Sequence, residues 1–433
     1  MDIPQTTYVR QARHGLLRGP SMALCLMQLP VFIAIKSLGA SEQQAVIITL
    51  AVPVGNLLSL FYTGFLAQRR RIPFIVALEV GFIALLLPMA FVTSPWLFIA
   101  LLFTGIVLRT LTLPATAGLI RENYPPGRRA HLSGKVQAWT HGSAGISGLM
   151  FGILLEADPS AYRWLYPLAA LFAFSATWQL LSVPETDPAS RSYRTAPSLR
   201  DIVHIFRRDT HFLNYEVSFF IFGVAAMTYQ ILLPLYLAQD LQANYTQGAL
   251  ALVVFNSLLL VLTSGFWGRV LDRANMLYMR GLFNLTWALA PLILFFTHSV
   301  VGVYASQIIV GIFQGGSILI WNLGINLFAR KEEVPTYMAI HQALTGVRGL
   351  FVPFTALALA DVLRFGSAIP GYRNAFLVCC VVMTGAGLFM IWESRRMERA
   401  GRATSFHAAE AIMESTDAAL RPDFDRIEGV REK

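Results

Sequence analysis

Two arginines stand where an arginine is costly. Arg109 lies inside the apolar run "GIVLRTLTLPATAG" and Arg348 inside "LTGVRGLFVP". A guanidinium at the centre of a bilayer costs about 2.5–3.5 kcal/mol on insertion scales. Both are therefore expected to face protein or a water-filled cavity, where a planar five-donor fork suits a carboxylate or phosphate. The alternative is a structural arginine satisfied by the carbonyls of kinked helices, with Pro114 and Pro353 supplying the openings. His141, in "QAWTHGSAG", lies at similar depth. It could bind a solute or take a proton near neutral pH, and packing is its alternative. Gln28, Asn56, Gln230, Asn256 and Gln314 add neutral donors and acceptors, which also suit interhelical hydrogen bonds. Arg18 is close enough to the inner end of the first run to reach headgroups. Trp139, Tyr229 and Trp321 suit either an apolar wall or packing.

Carboxylates are scarce at this depth. Glu79 falls about two turns into the third run and Glu216 near the start of the seventh, while Glu156, Asp158 and Asp361 approach the outer ends. Any coupling proton would therefore use His141, or Glu79 paired with a basic loop residue.

The elements that must hold these residues follow from composition. Of 433 residues, 55% are hydrophobic and only 14% charged, against about 25% charged in soluble proteins. Much of the surface must face lipid. Runs long enough to cross hydrocarbon, about 20 residues each, fall at 17–38, 43–66, 73–92, 96–119, 133–155 and 162–183, then at 213–238, 246–267, 275–297, 299–328, 335–362 and 371–393. The expected fold class is an all-α membrane protein with twelve transmembrane helices, since the runs are too continuously apolar for an outer-membrane barrel. The N-terminal "MDIPQTTYVRQARHG" lacks the short apolar core of a removed signal peptide. Cys25, Cys379 and Cys380 all lie in apolar runs, with no ligand spacing and no disulfide frame. Neither a metal nor a cofactor is expected, and no nucleophile elbow or phosphate-binding loop is present in the sequence.

The net charge of +9 does not form the single basic stripe of a nucleic-acid binder. The arginines come in bursts between runs, as cytoplasmic loops do. Arg10 and Arg13, Arg69 to Arg71, Arg121, Arg128 and Arg129, Arg191 to Arg208, Arg269, Arg273 and Arg280, and Arg330 with Lys331 share one side. The other keeps Lys36, Arg163, Arg364 and Arg373. Both termini are therefore expected in the cytoplasm.

The two halves match. "LGASEQQ" at Leu38 lines up with "LQANYTQ" at Leu241, offset 203, and "LLEAD" ending at Asp158 with "LALAD" ending at Asp361, again 203. Gly64 and Arg69 line up with Gly268 and Arg273 at 204, and "YR" recurs at Tyr162 and Tyr372. Two six-helix repeats in the same orientation are implied. The expected division is a bundle over 1–183, a cytoplasmic linker over 184–212 with an amphipathic helix capped by Ser198, a second bundle over 213–395, and a polar tail over 396–433.

Twelve runs, a central basic linker and "GRVLDR" between the eighth and ninth runs resemble the major facilitator superfamily over nearly the whole chain. The family's loop signature, Gly-x-x-x-Asp-Arg, is matched by Gly268, Asp272 and Arg273. In the first half Gly64 and Arg69 are in place, but Gln68 stands at the acidic position. The stretch "VYASQIIVGIFQGGSILIWNLGINLFARKEEVPTYMAIHQALTGVRG" also resembles the tenth and eleventh helices of bacterial members. The resemblance implies a secondary transporter of the bacterial inner membrane working by alternating access. It also implies a cavity lined by the first, fourth, seventh and tenth helices, which favours Gln28, Arg109, Gln230 and Gln314; His141 and Arg348 join them on chemistry. Gly64, Arg69, Gly268, Asp272 and Arg273 would form cytoplasmic latches, glycine allowing close helix approach. The expected solute is a small organic anion or polar molecule, with the bilayer and a coupling proton as further partners, no nucleic acid, and a monomer as the working unit. An efflux pump for amphipathic compounds and a non-transporting sensor are the alternatives.

Overall fold

The computed structural model describes residues 3–67, 69–185, 199–329, 333–364 and 372–401, and all regular structure there is helical. Helices occupy each of the twelve expected runs. The first run is a bent pair, α1 (Ile3–Cys25) and α2 (Leu29–Leu38), meeting at 47°. Pro30, the second residue of α2, has no N–H to lose at a break, so the bend falls there at little cost. The second run is α3 (Glu42–Val46), a short tight turn, and α4 (Ala51–Ala67). The rest of the first half is α5 (Arg71–Leu86), α6 (Pro95–Thr110) with α7 (Leu113–Asn123), α8 (Pro126–Ala157) and α9 (Tyr162–Leu180).

A short helix, α10 (Leu199–Arg208), precedes the second half. There lie α11 (Thr210–Leu235), α12 (Tyr245–Ala249) running into α13 (Phe255–Arg273), α14 (Met276–Phe296), α15 (Val300–Leu323), α16 (Val334–Arg364) and α17 (Arg373–Arg399). Among the described residues eight helices are long and apolar enough to cross a membrane, nine with the bent pair. The second, fifth and sixth runs are helical but shorter or more polar; α8 begins "PGRRAHLSGKVQ".

The internal repeat reaches the level of single hydrogen bonds. Gly39 ends α2 in the left-handed region at φ 66°, and Gln242, 203 residues on, adopts φ 50°. Glycine takes this conformation freely and glutamine does so at a cost. Ala40 N–H then donates to Ala34 at 2.9 Å, and Ala243 N–H to Leu237 at 2.9 Å. Each following helix opens with a capping box, Ser41 with Gln44 and Asn244 with Gln247. Such boxes satisfy amides that the first helical turn leaves without partners.

Helices of each half pack mainly on one another, and the halves meet along α8 with α12 and α13, and along α4 with α16. The first seam is tight only towards the end remote from the N-terminus. A Cβ on Gly148 would lie 2.5 Å from Val253 and one on Gly152 2.5 Å from Ala249. Nearer the other end, a Cβ on Gly134, Gly142, Gly265 or Gly268 would meet no described atom within 4 Å. Among the described residues, no helix approaches Gly268 closely in this arrangement. Polar contacts reinforce the tight end. Lys36 donates to the Ala243 carbonyl, Ser37 and Tyr245 hydroxyls lie 2.7 Å apart, and Tyr245 N–H donates to Glu156 at 2.6 Å.

The short helix α10 lies against the second half. Ile205 is buried, and Arg208 donates to Glu333 at 2.7 Å and to the Tyr337 hydroxyl at 3.2 Å. Ser198, the cap expected for this helix, and the tail beyond 401 lie outside the described residues.

Ser41→Ala and Asn244→Ala should each destabilise the protein by about 1 kcal/mol, the usual worth of an N-cap. The measurement is Tm of the purified protein in detergent, with similar losses expected at the two repeat-related positions.

Candidate functional site

Each half buries a cluster of charged side chains. In the first, α6 stops at Thr110 and α7 resumes at Leu113, ahead of Pro114. Arg109 sits in the last turn of α6, 1% exposed. Its Nη1 donates to Ser21 Oγ at 2.8 Å, and Ser21 in turn donates to the Arg18 carbonyl at 2.9 Å. Glu79 on α5, 3% exposed, lies 3.7 Å from Arg109 Nε. At that distance the two attract without a hydrogen bond, and Nε has no partner. The Phe82 ring covers the guanidinium, with its centre 4.7 Å away.

Arg18, one turn before Ser21 on α1, is half-buried with its Nε enclosed and unpartnered, so it adjoins this interior cluster. Likewise Glu79 pairs with mid-membrane Arg109 here, in place of the basic loop residue expected from the sequence.

The second cluster surrounds Phe219 of α11. Arg280 on α14 places its guanidinium 4.7 Å from the Phe219 ring centre, and Arg348 on α16 places its own 5.4 Å away. The His341 ring is 4.4 Å from the same ring. His341 Nδ1 meets both oxygens of Glu216, at 2.9 and 3.1 Å. Arg348 also donates to the Phe219 carbonyl at 3.1 Å. It can lie against the α11 backbone because residue 223 is glycine; a Cβ there would overlap the guanidinium.

Two guanidiniums beside one ring are within about 10 Å of each other, a repulsion of about 1.5–2 kcal/mol at an effective dielectric near 20. One carboxylate, already engaged by a histidine, stands against them. The first cluster likewise holds two arginines and one acid.

Unpaired polar atoms mark the same regions. Gln28 Oε1, at the α1–α2 bend, is buried without a partner, as are His141 Nδ1 on α8 and Gln314 Oε1 on α15. Nε of Arg109 and of Arg348 are in the same condition. Such an atom costs about 1–3 kcal/mol unless water or a solute answers it. Gln230 is half-buried on α11. Of the aromatic residues considered from the sequence, Trp321 lies 5.4 Å from His341. Tyr229 is satisfied by Ser306 and Gln307, and Trp139 is exposed. Of the expected latch residues, Arg69 is exposed, while Gln68 and the side chains of Asp272 and Arg273 lie outside the described residues. Gly64 falls in α4, in a stretch whose side chains are likewise not described.

Sequence reasoning missed Arg280 and the partnership of Glu216 with His341. Arg280 reads as another loop arginine after Arg269 and Arg273, yet it is 3% exposed and five residues into α14. The available signal was the start of the apolar run at 275, which places Arg280 inside it. Glu216 and His341 are 125 residues apart, and no periodicity brings them together.

These features belong to a transport fold of known type. The chain is a member of the Major Facilitator Superfamily, whose profile matches residues 19–283 and again 217–414. It is an integral membrane protein and a transporter, not an enzyme. The fold is similar to that of the nucleoside transporter NupG at 9% identity, covering 89% of this chain and 99% of that one, TM-score 0.67. It is similar to a peptide transporter POT in complex with alafosfalin at 11% identity, covering 90% and 95%, TM-score 0.69. A POT family transporter in complex with a thioalcohol conjugated peptide is similar at 13% identity, covering 91% and 96%, TM-score 0.69. At such identities the likeness is one of fold. No curated protein matches the chain in sequence.

The seat of Arg348 can be tested by a double-mutant cycle. Gly223→Ala should destabilise the protein strongly, but much less in an Arg348→Met background, where the guanidinium is gone and a flexible thioether can move aside. Denaturation of the four proteins should show a coupling of about 1–3 kcal/mol.

Proposed function

We propose that this transporter is a secondary active one, moving a small organic anion, or a polar molecule bearing a carboxylate or phosphate, by alternating access. The observation that carries the reading is the excess of buried guanidinium in both halves, with Nε of Arg109 and Arg348 unpaired. A solute anion would supply the missing acceptor and charge. Gln28, His141, Gln230 and Gln314 would orient the rest of the solute. The seam between α8 and α13, tight at one end and splayed at the other, supports one of the two arrangements that such a cycle requires. Rocking of the two six-helix bundles would close the splayed end, where Gly64, Arg69, Gly268, Asp272 and Arg273 would act as latches. With no nucleotide-binding motif in the sequence, the energy would come from gradients, about 2.3 kcal/mol for each charge moved through 100 mV. A proton coupled through His141 or the Glu79–Arg109 pair is part of the proposal. The protein would act as a monomer in a bacterial inner membrane with both termini cytoplasmic, a side that the asymmetry of its basic loops favours.

Proteoliposomes test the reading directly. The wild type should show saturable counterflow of a labelled organic anion, and Arg109→Ala with Arg348→Ala should lower it by about tenfold or more, as loss of charged hydrogen bonds predicts. Binding without flux would instead favour a sensor, and undiminished flux in the double variant would remove both arginines from the site. Reporter fusions at residues 1 and 433 should both be cytoplasmic; termini on opposite sides would rule out two parallel repeats.

A further inference from the structure

The second cluster contains more binding capacity than the fold consumes. Arg280 is 3% exposed, Arg348 6% and His341 fully buried. Arg280 Nε, Arg348 Nε and His341 Nε2 all lack a partner. All three side chains surround one ring, Phe219, at 4.7, 5.4 and 4.4 Å. The neighbouring Tyr215 hydroxyl is unpaired as well, and so is the Asn284 amide one helical turn beyond Arg280. Cation–π contact with Phe219 and Phe222 offsets part of the cost of burying a guanidinium. It offers no acceptor for the N–H groups, and it does nothing against the repulsion between two arginines. Glu216 is committed to His341 through both oxygens.

We propose that Arg280 and Arg348, beside the His341 ring that Glu216 holds, form an oxyanion-binding site within the second half, taking a carboxylate, phosphate or sulfate group through charge-assisted hydrogen bonds. Three properties fit that chemistry. Guanidinium forks match the planar or tetrahedral oxygens of such groups. The site is shielded from bulk water, where each bond counts for more. Its charge is unbalanced by one guanidinium among the groups named. For its natural occupant, the anionic group of the solute, the proposal rests on the transport reading above. The binding itself does not, since an inorganic oxyanion has the same recognition chemistry. Arg280 is the residue that makes this a site of its own, because it lies on α14 and outside the set of residues expected to touch solute.

Calorimetry on the full-length protein in detergent, at fixed ionic strength in chloride, decides the matter. Sodium sulfate, phosphate and succinate are titrated into the wild type, Arg280→Gln, Arg280→Lys and Arg163→Gln. The last variant removes an exposed positive charge far from the cluster and controls for general electrostatics. Saturable binding near one equivalent is expected for the wild type and Arg163→Gln. Arg280→Gln should weaken it about ten- to hundredfold, as expected for a lost charged hydrogen bond.

Should Arg280→Gln fail to fold, Arg280→Lys keeps the charge but loses the fork, and about tenfold weaker binding is expected. Tighter binding of succinate than of sulfate would identify an organic solute as the occupant; the reverse order would identify an inorganic ion. Absence of saturable binding in the wild type, or binding that the Arg280 variants leave intact, overturns the proposal. The two readings can fail separately. Lost anion binding with counterflow preserved removes the site alone, and binding without counterflow removes the transport cycle alone.

Discussion

A guanidinium in hydrocarbon must be answered by groups within a few ångströms, because no solvent is there to do it. That constraint organises the interior of both halves. Arg109 draws Ser21 from α1, Glu79 from α5 and the Phe82 ring around it. Arg348 draws the Phe219 carbonyl, and needs a glycine on α11 to reach it. The two clusters share corresponding first and third helices with signs exchanged, but their remaining arginines differ in place, Arg109 on the fourth helix of its half and Arg348 on the fifth. In the first half the first helix carries Arg18 and the third Glu79. In the second half the corresponding helices carry Glu216 and Arg280. Duplicated backbones thus hold complementary charge patterns, each leaving one arginine over.

The apolar packing frames these clusters without neutralising them. The largest buried cluster runs through both halves and includes Phe32, Tyr236, Tyr245 and Val253 at the end where the halves meet. A second, around Phe212, Tyr215, Phe219 and Tyr337, sits in the other half-depth of the second bundle, where α10 lies. The charged residues of the second cluster therefore stand among aromatic rings, which can face a cation but cannot accept two guanidiniums in full.

Much of the architecture was legible from sequence for a physical reason: lipid demands long apolar runs, and a duplication leaves constant offsets. The 203-residue offset between "LGASEQQ" and "LQANYTQ" corresponds to matching left-handed residues and matching capping boxes. The depth of Arg109 and Arg348 was legible too, since a charge inside an apolar run can only be buried. Their surroundings were not. Which acid meets which arginine depends on how helices rotate against one another, and that is set by packing spread over the whole bundle. Glu79 and Arg109 are 30 residues apart on different helices, and Glu216 and His341 are farther still. Arg280 was misread because position in a basic burst and position in an apolar run point opposite ways four residues from a helix start. At Gly268 the family motif suggests helix contact, whereas in this arrangement no described atom lies within 4 Å of a Cβ placed there.

The tight end has two clasps related by the duplication, and they differ in kind. At one, the end of α8 brings Glu156 to the backbone amide of Tyr245; at the other, the end of α16 brings Arg364 to Glu42, 3.6 Å away. The second is an ion pair with both side chains partly in water, at 33% and 21% exposure. Dissolved ions screen such a pair within about 8–10 Å at ordinary ionic strength, whereas a carboxylate held by a backbone amide retains its short directional bond. Brine and dilute buffer should therefore act unequally on the two sides of the tight end, easing the Arg364 edge while the Glu156 edge keeps its grip.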